Sequence, residues 1–317
     1  MSTHFFRKAL SRLLPNSFLN VIRTYRYRIE LTNPDGLAKR FFLFVQTLLK
    51  TLNKSKMVLF YPDEPLDFHI IYKILRFLGH RTTSNAQHKC DLAILWWRDS
   101  NGSPYAPNRS NEFFKESVGN GINILNIRCN DVSKARVNIV FEEVFGYSIQ
   151  VDPEKYFGKC VMKLNGNGLH KGRIIDCPTS RRDGDFVYQK LIHNETADGF
   201  VEDIRVPIYG KRTPFVYLKH RAVKDRLIDR PHTNTATSMA EVSKVLSEEE
   251  LNKINIFAEI IGLDCGEVDV LRDQKDGRIY IVDVNNFPSG PPSPISNEEG
   301  NEAIIKLAET FSKSFGV

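Results

Sequence analysis

Gly266-Glu-Val-Asp-Val-Leu271, then Asp273-Gln-Lys-Asp-Gly277, then Gly277-Arg-Ile-Tyr-Ile-Val-Asp-Val-Asn-Asn-Phe-Pro-Ser-Gly290 is the stretch on which the fold is decided. It reads as two strands, 266–272 and 278–284, joined by a hairpin with Asp-Gly near its tip. Side chains alternate along a strand, so Val282 and Val284 share one side and Asp283 and Asn285 the other. Asp269, on the preceding strand, can point to that same face. Two carboxylates and an amide converging by oxygen suit Mg²⁺, which takes hard oxygen ligands and lets substrate phosphates complete its shell. The competing reading is a polar sheet face beside a turn.

Upstream, Val161-Met-Lys-Leu-Asn-Gly-Asn-Gly-Leu-His-Lys-Gly-Arg173 puts Lys163 on a strand feeding a loop with Gly166, Gly168 and Gly172. Such a loop can bring backbone N–H groups to phosphate oxygens while the lysine supplies a point charge. It matches neither the P-loop nor the dinucleotide fingerprint, and a plain hairpin turn is the alternative. Val187-Tyr-Gln-Lys-Leu-Ile192 enters a polar turn, where its backbone (Gln189, Lys190, Leu191, Ile192) can serve an adenine edge. Asp203 and Arg205 share one strand face, as do Lys219 and Arg221. An alternating cationic row facing a metal site suits a triphosphate, and a solvated strand edge is the bland alternative.

The ordered set of these pieces resembles the ATP-grasp superfamily, in a bacterial branch of it, from about residue 57 to 310. The resemblance implies an ATP-grasp fold of mixed α/β and α+β class, with a small α/β domain before it and a basic helical extension before that. It implies ATP and Mg²⁺ as cofactors. Asp269 falls at the first metal-ligand position, and Asp283-Val-Asn285 matches the family's Glu-x-Asn metal pair. Pro288-Ser-Gly290 resembles the turn that follows. Lys163 matches the phosphate-binding lysine, 165–172 the glycine-rich lid, Gln189 to Ile192 the adenine hinge, and Lys219 or Arg221 the second phosphate-contacting cation. The activity implied is a ligase joining a carboxylate to an amine through an acyl phosphate. A phosphotransferase, or a non-catalytic nucleotide-binding interaction module, is the alternative on the same scaffold.

Two positions depart from the family pattern. Asp283 stands where Glu is usual. Glu267 stands where D-alanine–D-alanine ligases carry the arginine that serves the acyl phosphate, which weakens a dipeptide-ligase assignment; Arg205 or Arg221 is the candidate replacement. A lid over the reactive intermediate is expected from 165–172 and from 222–240, with Arg226, Arg230 and His232. His170 and His220 lie among the phosphate-facing segments, with an incidental polar role as the plainer reading.

The rest of the chain bounds these readings. Its 317 residues, 41% hydrophobic and 26% charged, describe a globular protein of two or three units. We expect an extension over 1–56, a preceding α/β domain over 57–135 and the ATP-grasp domain over 136–317. In the preceding domain, Met57–Tyr61, Asp91–Trp97 and Gly121–Arg128 read as strands, and a helix bearing Phe68, Ile71, Ile74, Leu75 and Leu78 is capped by Asp67 and stopped by Gly79. Of Trp96 and Trp97, one is expected in the core and the other on a pocket wall or the surface. Further on, strands are expected at 147–151, 159–164, 172–176, 185–192, 201–208 and 214–219. A polar, mobile-looking stretch follows at 222–246. Helices are expected over 132–145, from a capping box at Ser247–Glu250, and over 297–315.

Five widely spaced cysteines (90, 129, 160, 177, 265), an odd number, argue against a disulfide framework or structural zinc. They read as core residues in a reducing, cytoplasmic setting. Residues 1–56 hold eleven basic and two acidic residues, +9, while the whole chain is +6. The partner of that arm could be an anionic membrane surface met peripherally, or a protein; nucleic acid is disfavoured, since no such motif is present. A solvated helical extension packed on the body is the alternative. Phe41–Leu49 is too short to span a membrane and too far in for a signal peptide. Between Lys39-Arg40 and Lys50 it resembles an interfacial helix as much as a core one. The other substrates expected are a small carboxylate and a small amine.

Overall fold

The computed structural model describes residues 15–96, 121–166, 168, 172–181, 184–227 and 233–317. Trp97, His170, Arg230 and His232 lie outside the described residues, as do Arg7, Lys8 and Arg12 of the basic extension.

Two helices open the described chain, α1 (Asn16–Thr32) and α2 (Gly36–Lys54). A turn at Asn33–Gly36 separates them: Asn33 caps α1 at φ +39°, a left-handed conformation that asparagine tolerates. α1 buries Val21, Thr24, Tyr27 and Arg28. It packs on α2, on α3 (Ile70–Leu78) and on α7 (Asn297–Phe315). Arg28 donates from Nε to the Phe77 carbonyl at 3.0 Å. The Arg76 guanidinium lies 4.3 Å from the Tyr27 ring centre. The C-cap of α3, Gly79, sits at φ +82°, and a Cβ there would come 2.9 Å from Thr51 Oγ1, so both backbone and space require glycine.

A four-stranded parallel sheet follows, in the order β2 (Arg81–Thr83), β1 (Met57–Pro62), β3 (Leu92–Trp96), β4 (Ile124–Leu125). Its central strands are buried on both faces, which is why they read as unbroken apolar runs. Two expectations are corrected here. α3 begins at Ile70, with His69 rather than Asp67 as N-cap and no side-chain cap bond. The 121–128 strand shrinks to Ile124–Leu125, because Asn126 turns to φ +59°. Its amide then accepts from the backbone N–H of Asp264 and Cys265 (2.8 and 3.0 Å) and donates to the Cys265 carbonyl (2.8 Å). A side chain that satisfies another strand end this fully ends its own strand.

The remainder is antiparallel. A three-stranded sheet runs β6 (Arg173–Cys177), β5 (Gly158–Leu164), β7 (Phe186–Lys190). A five-stranded sheet runs β10 (Ala236–Ala240), β9 (Val216–Ala222), β8 (Phe200–Tyr209), β11 (Cys265–Arg272), β12 (Ile279–Asn285). A parallel layer joined to antiparallel sheets is the mixed α/β and α+β class expected. Helices α4 (Lys134–Phe145) and α6 (Glu248–Ile261) cover one face of the five-stranded sheet; a short α5 (Val242–Val245) precedes α6. Val137, Phe141, Ile254 and Phe257 pack there on Ile204, Val206, Val268, Val270 and Val284. The opposite face has an apolar end, where Tyr209, Tyr217 and Cys265 meet Leu307 and Phe311 of α7 and Phe60 and Trp96 of the parallel sheet. Its other end is charged.

The Ser247–Glu250 capping box is formed in both directions, at 3.2 and 2.9 Å, and α7 spans the 297–315 expected. The 147–151 strand is not: that segment makes one bridge, Gln150 to Gln189, because Ile149 turns into the core and the Tyr147 hydroxyl donates to the Ile279 carbonyl at 2.7 Å. Nor is 222–246 wholly irregular, since β10 pairs with β9 along Ala236–Ala240. Ala-Thr-Ser-Met-Ala carries too little hydrophobic alternation to announce a strand.

Candidate functional site

The charged end of the five-stranded sheet is assembled by register. Asp269 pairs with Arg205 of β8 on one side and Asp283 of β12 on the other, and Asp203 of β8 pairs with Lys219 of β9. Opposed residues of antiparallel strands share a face, so Lys219, Arg221, Asp203, Arg205, Glu267, Asp269, Asp283 and Asn285 all project from one side. A β-bulge between Asp269 and Val270 shifts the pairing, placing Ile281 opposite Val270. Strict alternation would put Ile281 beside Asp283; the bulge returns it to the core.

Asp269 is the hub. Arg205 donates to both of its oxygens, Nε to Oδ1 at 2.8 Å and Nη2 to Oδ2 at 2.9 Å. Lys219 Nζ lies 3.3 Å from Oδ1, and the Asn285 amide donates to Oδ2 at 3.3 Å. Burial works to raise this carboxyl's pKa, but Arg205 and Lys219 outweigh it and hold the group well below the usual carboxylate range. Asp283 differs. Its Oδ1 accepts from the Val284 N–H at 3.1 Å, and burial, against the pull of Lys134 and Lys163, pushes its pKa up. Among the described residues no group of three or more His, Cys, Asp or Glu could hold a metal ion. The oxygen donors here are two carboxylates and one amide, a set that fits Mg²⁺ only with phosphate oxygens and water completing the shell. Asp269 already holds Arg205 and Lys219, whereas Asp283 accepts from a backbone N–H.

Across from this face stands the three-stranded sheet. Between the two lies a cleft enclosing about 980 Å³ of empty space, its open mouth included. Lys163, Gly168, Gly172, Arg221, Asp269 and Asp283 line it, with Gln189 through Ile192 along one side. Burial, reinforced by Lys134, lowers the Lys163 pKa to about 8. Arg221 is ion-paired with Asp203. The remaining predicted residues are placed less directly. Gly166 offers its carbonyl to Lys134 Nζ at 3.0 Å. The Gln189 side chain donates to Asn138 at 2.7 Å, and its backbone is paired with Val161 of β5 and bridged to Gln150. Lys190 reaches Asp276 (2.9 Å), Asp273 (3.3 Å) and the Tyr280 hydroxyl (2.6 Å).

Lys134, Asn194 and Arg226 also line the cleft. The sequence reading missed the first two and assigned Arg226 only to a lid. Lys134 is buried in the first turn of α4, and Asn165, from the glycine-rich loop, accepts from the Lys134 and Ala135 N–H groups. No spacing rule connects a helix start with a loop thirty residues on. Arg226 donates to the Ile192 carbonyl at 2.7 Å and to Asn194 Oδ1 at 2.9 Å, tying the end of β9 to the segment after β7. His220 pairs with Glu202 at 2.9 Å rather than lining the cleft. All five cysteines are free, and four are buried.

A second cavity, enclosing about 810 Å³ of empty space on the same measure, opens on the far side of Arg205 and Lys219. Phe68 and Lys73 border it from the parallel-sheet layer and Ser289 to Ser293 from the loop after β12. Lys73 Nζ donates to the Gly290 carbonyl at 2.6 Å, and burial lowers its pKa. Arg205 and Lys219 thus stand between Asp269 and a pocket whose charged lining is cationic.

Beneath Arg205 lies Glu267, buried completely, its Oε2 3.5 Å from Arg205 Nε and neither oxygen accepting a hydrogen bond among the described residues. Burial raises its pKa to about 7. A carboxyl whose folded pKa exceeds its unfolded one costs stability as pH rises, and the cost is complete above about 7. The Glu267 contribution to stability is therefore expected to fall, on the order of 2 kcal/mol, between pH 5 and pH 8. Glu267→Gln should remove that loss, read from urea unfolding at both pH values; equal pH dependence in the two proteins would contradict it.

No protein-family model matches the chain, and no curated protein matches it significantly. Solved structures do resemble it. D-alanine–D-alanine ligase from Bacillus anthracis superposes with a TM-score of 0.50 at 13% identity, over 82% of this chain and 97% of that one. The same enzyme complexed with ATP gives 0.50 at 14%, over 83% and 97%. The ATP-grasp ligase PsnB, complexed with a minimal precursor, gives 0.49 at 15%, over 80% and 99%. The chain has the ATP-grasp fold. At these identities the likeness is one of fold.

Proposed function

We propose that the protein is an ATP- and Mg²⁺-dependent ligase that joins a carboxylate to an amine, or a similar nucleophile, through an acyl phosphate. The observation that carries the reading is the convergence, in one cleft between two sheets, of Lys163, Asp269 and Asp283 beside the Gln189–Ile192 segment. ATP-grasp ligases of the same fold support it, one of them solved with ATP. Asp269, Asp283 and Asn285 would hold Mg²⁺, which offsets charge on the phosphates as the γ-phosphoryl group transfers. Lys163 and Arg221 orient the phosphates, with the glycine-rich loop beside them, and the Gln189–Ile192 backbone lies along the base. Lys219 belongs to both sides: its ammonium faces Asp269 and the second cavity.

The second cavity is the acceptor site in this reading. Its cations would hold a small carboxylate, and Arg205 takes the charge-stabilising role of the arginine that Glu267 replaces. The carboxylate attacks the γ-phosphorus, ADP leaves, and the amine then displaces inorganic phosphate from the acyl phosphate. No protein nucleophile is needed; positioning and charge stabilisation suffice. We also propose the division into a 1–56 extension, a 57–135 preceding domain and a 136–317 ATP-grasp domain.

Thermal unfolding with Mg²⁺ plus ATP, ADP or GTP tests the nucleotide site. ATP at about 100 times its dissociation constant should stabilise the protein by about 2.7 kcal/mol, a shift of a few degrees, and only with Mg²⁺. Phosphate release that requires both a carboxylate and an amine then separates a ligase from a phosphotransferase, which would yield a stable phosphoproduct. No shift with any nucleotide would sink the reading.

A further inference from the structure

Helix α2 is packed the wrong way round for a helix serving only the core. It buries Thr47 and Thr51 and exposes Leu37, Phe41, Phe42, Leu49 and Leu52, each between 51% and 86% accessible. Thr47 lies 3.4 Å from Arg28 of α1, and Thr51 sits where α3 ends at Gly79. Phe44 is turned inward onto Tyr25, ring centres 5.2 Å apart. At 100° per residue the exposed leucines and phenylalanines occupy one arc of about 140°. Lys39 and Lys50 stand about 60° and 80° beyond one edge of that arc, both exposed. The helix carries four cations (Lys39, Arg40, Lys50, Lys54) and no acid. No described helix is long and apolar enough to cross a membrane.

We propose that α2 is a docking surface for an anionic membrane, lying in the interface with its leucines and phenylalanines among the acyl chains and Lys39 and Lys50 at the headgroups. An apolar arc on a helix whose exposed flank carries long lysine side chains and no acid matches the layered chemistry of such a surface, apolar inside and negative outside, the lysine stems reaching to the headgroups. Charge complementarity decides against a second copy of this chain: the helix carries four cations and no acid, within a first 56 residues of net +9, so two copies repel where an anionic surface attracts. Exposed apolar residues scattered singly need no explanation; five along one face of one helix do.

Flotation of the full-length protein with vesicles of phosphatidylcholine alone, and of phosphatidylcholine with phosphatidylglycerol, tests this. The wild type should float with the anionic vesicles, remain below with the neutral ones, and be released by 0.5 M salt. Lys39→Gln/Lys50→Gln should weaken binding by about fivefold per cation. Phe41→Ser/Phe42→Ser should weaken it by more than about tenfold. Both pairs are exposed, so unchanged thermal unfolding verifies the fold. The proposal is overturned if the wild type stays unbound with anionic vesicles, or if the phenylalanine variant floats as well as the wild type. It is equally overturned if the wild type, unbound by vesicles, self-associates and Phe41→Ser/Phe42→Ser abolishes that association, which would make a second copy the occupant.

Discussion

Asp283→Ala is expected to lower Mg-ATP turnover by on the order of 10³-fold while leaving the free protein as stable as the wild type or more so. The two halves of this expectation share one cause. Burial pushes the Asp283 carboxyl toward its neutral form, so the residue costs the empty protein free energy rather than contributing it. A carboxylate kept under those conditions is explained by a cation it meets only when the site is filled. Its neighbour would be a poorer probe. Asp269 accepts both donors of Arg205 and faces Lys219, and removing it leaves the buried Lys219 and the partly buried Arg205 without their shared anion, a change that costs about 3–5 kcal/mol. Activity lost on Asp269→Ala would therefore be confounded with lost structure, and Asp283→Ala keeps the two apart. The measurements are phosphate release and thermal unfolding with and without Mg-ATP. A variant retaining the Mg-dependent ATP shift would remove Asp283 from the metal site.

Lys163→Met is the second. It should abolish the ATP-induced shift and raise the stability of the free protein at pH 7. Burial and Lys134 bring the Lys163 pKa to about 8, so the ammonium is disfavoured in the fold. The sign follows from proton counting: between about 8 and the ordinary lysine value the unfolded chain binds the extra proton, so the Lys163 contribution to stability, read as the difference between wild type and variant, rises with pH across that window. The penalty is complete below it, and the uncharged thioether of the variant would not carry it. Nucleotide affinity should move oppositely. Phosphate needs the charged amine, so ATP binding to the wild type should weaken about tenfold from pH 7 to pH 9, measured by titration calorimetry. A flat affinity over that range, or a variant that still binds ATP, would exclude Lys163 from phosphate contact.

Lys163 and Asp283 were legible because each lies in a local pattern: a lysine on a strand before a glycine-rich loop, and an acid and an amide alternating beyond a hairpin. The strand periods carried most of the architecture for the same reason, as did the capping box at Ser247. Local signals failed where a distant partner set the outcome. Asn126 ends its strand because the backbone at Asp264 and Cys265 needs its amide. β10 exists because β9 offers an edge to Ala236–Ala240.

From the sequence alone came the strand-by-strand alternation, the identity of the acids, amide and lysines available to the site, and the basic charge of the first 56 residues. These are properties of neighbours in the chain, where backbone geometry alone dictates which side chains share a face. The tertiary structure decided how those residues are used. It set Arg205 onto Asp269, buried Lys134 beside Lys163, left Glu267 beneath them without a hydrogen-bond partner among the described residues, and turned the phenylalanines of α2 outward. Each of these depends on register between strands or on packing between helices far apart in the chain, and charge and burial take their energetic meaning only at that distance.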